Sequence, residues 1–114
     1  MPKLAESTTA VIVRGEKWEG VCASEPYEAG WAREAVLFLR LLAREGETGA
    51  ALFRVQVSPD GMRWVDEGAT ILVPEEPEQV TFARVAHFAN WLRVAIDLPE
   101  GAMVQPLITL HLKG

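Results

Sequence analysis

The stretch Phe53-Arg-Val-Gln-Val-Ser-Pro-Asp-Gly-Met-Arg-Trp-Val-Asp66 limits the fold more than any other part of this chain. Phe53, Val55 and Val57 fall on one face; Arg54, Gln56 and Ser58 fall on the other. A period of two marks a strand buried on one side. The strand then meets a turn. Pro59 presets its own φ, Asp60 can accept hydrogen bonds from nearby backbone, and Gly61 tolerates positive φ. Trp64 follows directly. The stretch reads as part of an antiparallel sheet, and it carries no sign of an enzyme.

Other segments repeat this pattern. Residues 8–14 are rich in β-branched side chains, and 18–23 read as a shorter strand. In 90–98, Leu92, Val94, Ile96 and Leu98 alternate with Trp91, Arg93, Ala95 and Asp97. In 103–113, Ile108, Leu110 and Leu112 point inward, with Thr109 and His111 outward. Strands are also expected at 70–73 and 79–85, with a break at Glu67-Gly68 after a short return over 62–65. Residues 24–30 read as a loop, 45–49 as a hairpin loop with two glycines, and 74–78 as a stiff acidic loop. Pro106 belongs on an edge or at a bulge, because it has no N–H to give a ladder.

Residues 31–44 are ambiguous. Trp31, Ala35, Phe38 and Leu42 would make a helical stripe. The alternation of Val36, Phe38, Arg40 and Leu42 with Leu37, Leu39 and Leu41 fits instead a strand covered on both faces. Strand is favoured, since every later segment is strand-like.

Together these segments predict an all-β chain: a single-domain antiparallel β-sandwich of about eight strands over 8–114, behind a flexible leader, 1–7. The 114 residues suffice for one domain, which at this size buries roughly 65% of its unfolded surface without metal or disulfide. The expected core is Phe53, Val55, Val57, Leu92, Val94, Ile96, Ile108 and Leu110. Few amides and many Glu and Arg fit a thermophile or a GC-rich genome alike.

The net charge of −5 argues against a broad grip on nucleic acid or anionic membrane. A local basic patch from Arg33, Arg40, Arg44 and Arg54 stays open. Cys22 is the only cysteine, so no internal disulfide forms; it reads as a small buried hydrophobe. The N-terminus lacks a signal-peptide apolar core, so the chain is expected to be made in the cytoplasm. No nucleophile elbow or phosphate-cradling glycine loop appears. Ser58, His87 and Asp97 form a triad only on paper. His87 and His111 lack metal-ligand spacing, and Asp60, Asp66 and Glu67 lack the calcium-loop pattern. No cofactor or metal is expected, and Pro59, Asp60 and Gly61 are assigned to a turn.

The tryptophans Trp18, Trp31, Trp64 and Trp91 are many for this length. Trp91 and Arg93 share the face opposite Leu92 and Val94, which makes them the candidate interface pair. Trp64 and Arg84 are candidate ligand or rim residues.

The order Val-Gln-Val-Ser-Pro-Asp-Gly-Met-Arg-Trp, Phe82-Ala-Arg84, Trp91-Leu-Arg-Val-Ala-Ile and Leu107-Ile-Thr-Leu-His-Leu-Lys-Gly114 resembles small jelly-roll-type virion proteins of phages and prophages, over about 32–114. Similarity to discoidin-like, galactose-binding sandwiches is weaker, because their N-terminal half is not evident here. The first resemblance implies a non-enzymatic structural protein of a phage-like particle, capsid-associated or decorating it. Its partners would be copies of itself and capsid or other virion proteins. The alternative is a carbohydrate-binding module using loop tryptophans.

Overall fold

The computed structural model describes residues 6–114. It holds nine strands in two sheets, and every strand pairing is antiparallel. The first sheet has the order β1 (Ser7–Arg14), β9 (Met103–Lys113), β4 (Glu34–Glu45), β7 (Thr81–Ala86). The second has the order β2 (Val21–Ala23), β8 (Trp91–Asp97), β5 (Phe53–Ser58), β6 (Val65–Ile71). β3 (Tyr27–Glu28) also pairs with β8. Chain 31–44 is therefore strand rather than helix from Glu34 onward.

β2 and β3 act as one strand interrupted at Ser24-Glu25-Pro26. Ser24 keeps the interruption tied to β8: its N–H donates to the Val94 carbonyl, and its Oγ accepts the Val94 N–H at 2.9 Å. Counted this way, eight strands form two sheets of four, a jelly-roll arrangement. The short β3 replaces part of the loop expected at 24–30. Its partner lies far away in sequence, so local composition could not reveal it.

The core lies between the sheets. Phe53, Val55, Leu92, Val94, Ile96, Ile108 and Leu110 are all buried in it, joined by Leu37, Leu39, Ile71 and Leu112. Val57 only flanks the core. Gln56 and Ser58, expected to face solvent, are buried, because the turn and neighbouring side chains fold over them. Trp18 closes one end of the core, its ring centroid 6.2 Å from that of Phe53.

Several expectations change. The 45–49 loop is not a hairpin, since β4 and β5 lie in different sheets and the loop arches between them. Glu67-Gly68 does not break a strand. β6 runs through it as an irregular pairing between Arg54 and Gln56, with Gly68 at φ 113°. The expected strand at 70–73 therefore ends at Ile71. Pro106 sits in a central strand and not on an edge, and takes the other of its two expected settings, a bulge, where β4 shifts register between Leu41 and Ala43. At the N-terminal side, Ser7 pairs with Lys113, so β1 takes in the end of the expected leader; residues 1–5 lie outside the described residues. Cys22 is half-buried, with its thiol donating to the Glu19 carbonyl.

Candidate functional site

The two sheets turn very different outer faces to solvent. On the second sheet, a polar ladder crosses three strands. Arg93 Nε donates to Gln56 Oε1 at 2.7 Å, and Gln56 Nε2 donates to Asp66 Oδ1 at 2.9 Å. Arg54 then bridges Asp66 at 3.5 Å and Asp97 at 3.3 Å. The Arg93 guanidinium also lies over the Trp64 ring, 4.4 Å from its centroid, a cation–π geometry. Burial lowers the Arg93 pKa from its ordinary value, and the like charge of Arg54 adds to the effect.

Trp91 is half-buried at one end of this ladder, where its ring lies over Gly61. A Cβ at Gly61 would sit 3.3 Å from that ring. The structure thus brings Trp91, Arg93 and Trp64 together around the 58–64 turn. It places Arg84 on the other sheet. Much of the capacity of Arg93 and Trp64 is used within the chain: one bonds Gln56, and the other holds Arg93 on one ring face.

The turn itself is as expected. Gly61 adopts φ 78°. Asp60 Oδ1 accepts the N–H groups of Met62 and Arg63, each at 2.9 Å, and Oδ2 pairs with the Arg63 guanidinium at 2.6 Å. These bonds, the backbone ones foremost, lower the Asp60 pKa from 3.8 to about 2. Ser58 Oγ accepts the Asp60 and Gly61 N–H groups. Ser58, Asp60, Asp66 and Asp97 therefore all have structural partners. Among the described residues, no three His, Cys, Asp or Glu side chains gather where they could hold a metal.

The outer face of the first sheet has the opposite character. Three rows cross it. Val11, Thr109, Phe38 and Phe82 form the middle row. Thr9, His111, Val36 and Arg84 lie on one side of it, and Arg14, Leu107 and Arg40 on the other. Phe38 is 36% exposed, Phe82 48% and the adjoining Val80 53%. The Phe38 ring packs against Phe82 at 5.9 Å and edge-on to His111 at 5.1 Å. Arg84 lies over Phe82, 5.2 Å from its centroid. Two shallow grooves mark this face. One, of about 390 Å³, runs past Val36, Arg84, His111 and Lys113; the other, of about 170 Å³, passes Phe38, Arg40, Val80 and Leu107.

Phe38, Phe82, Val36 and Leu107 were not among the site residues expected from sequence. A signal for them existed. The alternation through Leu42 implied a strand covered on both faces, yet in the isolated chain only the inner face of β4 is covered. The arginines considered as one basic patch are divided: Arg40 is on this face and Arg54 is on the opposite sheet.

No protein-family model and no curated protein matches this sequence.

Proposed function

We propose that this chain is a non-enzymatic structural protein that works through protein–protein contacts, as a capsid-associated or decoration component of a phage-like particle. The observation that carries the contact reading is the outer face of the first sheet. A sheet face that stays in water normally alternates to polar residues. Here it presents Val36, Phe38, Val80, Phe82 and Leu107 as one contiguous apolar surface. Such surfaces mark interaction sites. The particle assignment rests on the resemblance carried by the Val55–Trp64 stretch and the strands that follow it.

The carbohydrate-binding reading has less support. A sugar-stacking tryptophan needs an open ring face. Trp64 holds Arg93 on one of its faces and Trp91, the first residue of β8, lies over Gly61, which leaves Trp31, 43% exposed between β3 and β4, as the loop tryptophan open to a sugar.

The test begins with the gene neighbourhood and ends with binding. Capsid and packaging genes beside this one, and stoichiometric co-sedimentation of the purified protein with the assembled shell, support the reading. An unrelated neighbourhood with no shell binding refutes it. Loss of shell binding in Trp91→Ala/Arg93→Ala, with folding intact, would assign the contact to the second sheet. Binding of the isolated protein on a glycan array would favour the alternative.

A further inference from the structure

We infer that the outer face of the first sheet is the contact surface for a second copy of this chain, in a two-fold dimer whose axis lies in the contact plane and crosses the strands. The inference rests on the contact reading above and names its partner.

Size is the first argument. The strands of this sheet have 8, 11, 12 and 6 residues. At about 3.3 Å per residue and about 4.8 Å between strands, the face covers roughly 600 Å². Two such faces remove roughly 1,200 Å² from water, the lower edge of what specific complexes bury. Sheets also pack readily face to face with their strands nearly aligned.

Charge selects the partner and the axis. The face is polarised along β7. At its far end stand Arg84 and, across the groove, His111 and Lys113, with the acidic Glu34 beside them and Glu6 next to the Ser7–Lys113 pair. Before its start comes the acidic loop with Glu75, Glu76 and Glu78, all exposed, while Arg14 and Arg40, on either side of Leu107, are the basic residues of the face at this end. Among the described residues, neither Arg84 nor these glutamates form an ion pair. A two-fold axis crossing the strands lays β7 over β7 in opposite directions. Each acidic loop then faces the Arg84 end of the other copy. An axis along the strands would bring like ends to the same side and lose this match. An isologous contact must complement itself, and only the axis that crosses the strands brings each acidic loop to the partner's Arg84. The apolar middle row, centred on Phe38 and Phe82, would become the dry centre of the contact, with the charges at its rim.

The experiment is sedimentation equilibrium of the full chain from about 1 μM to about 1 mM, a range matched to a contact of modest area. The expected result is a monomer–dimer equilibrium. Phe82→Glu and Arg84→Glu should each weaken it at least about tenfold, as removal of a central anchor or its paired charge does. Each variant must keep the parent's melting curve; Phe82→Ser is the milder substitute if Phe82→Glu does not. Trp91→Ala/Arg93→Ala should leave the dimer unchanged. Arg84→Glu combined with Glu75→Arg and Glu76→Arg should regain affinity. A monomer throughout the range, or a dimer indifferent to Phe82 and Arg84, overturns the inference. A dimer that Arg84→Glu weakens but the charge exchange does not restore overturns the proposed axis. A monomer that binds shells through Phe82 sinks the self-contact and spares the contact reading. A dimer that binds no shell spares the self-contact and sinks the particle assignment.

Discussion

The side-chain amide of Gln105 donates to the Gly15 carbonyl at 3.0 Å. That carbonyl faces Pro106, whose own carbonyl accepts the Gly15 N–H at 2.8 Å. In an antiparallel ladder, the return bond would come from the residue at 106. Proline has no N–H, so its neighbour supplies the missing donor from a side chain. This is how a central strand carries a proline without leaving a backbone carbonyl unpaired.

Gln105→Ala should therefore destabilise the fold by about 1 kcal/mol, the usual size of a lost hydrogen bond. In a Pro106→Ala background the backbone N–H returns, and the same substitution should cost markedly less. A double-mutant cycle by urea unfolding measures this coupling. Equal costs in both backgrounds would show that Gln105 does not replace the proline's bond.

Gly61→Val should lower stability more than Asp60→Ala. At φ 78°, a β-branched residue is strained, and its Cβ would press on the Trp91 ring at 3.3 Å. The expected cost is about 2–3 kcal/mol. Thermal melts of the two variants decide it, and small, equal shifts would remove the turn assignment.

The Asp60 carboxyl should titrate near 2, well below its ordinary 3.8, in an NMR pH series that follows its Cγ resonance. Its folded-state pKa is depressed, so its contribution to stability is present above the unfolded value and is lost as pH falls through 4 toward 2. Removing one of the lowering bonds with Arg63→Ala should raise the titration midpoint. A midpoint near 3.8 in the parent would mean that the Met62 and Arg63 N–H groups do not hold the carboxylate.

Val94→Asp should cost on the order of 3 kcal/mol or more, because it buries a charge without a partner. Val94 is fully buried in the middle of β8, opposite Val55. A variant that melts with the parent would place Val94 outside the core.

Period-two alternation in 53–58, 91–97 and 103–113 was enough to predict an all-β sandwich and most of its core, because a strand with one dry face must alternate. The turn at Pro59-Asp-Gly61 was equally legible, since Asp60 bonds only backbone a few residues away and Gly61 needs only its own φ. These are local constraints, and a sequence carries them openly. What local order could not convey was the destination of each strand. The 45–49 loop looks like a hairpin from its glycines, but it arches from one sheet to the other, with Gly46 pressed against the Gly101 backbone. Pro106 could be at home in a central strand because its missing N–H falls on the Gly15 side, where Gln105 supplies the donor, a contact between residues 90 positions apart. The character of the outer faces was decided in the same way. Arg93 and Trp91 alternate as an outward pair, yet Gln56, Trp64 and Gly61 arrive from elsewhere to engage them. Phe38 and Phe82 look like core residues one at a time, and only the pairing of β4 with β7 sets them side by side on the solvent face. Alternation specifies that a strand has two sides; which side meets the other sheet, and what lies beside it, is settled by long-range pairing.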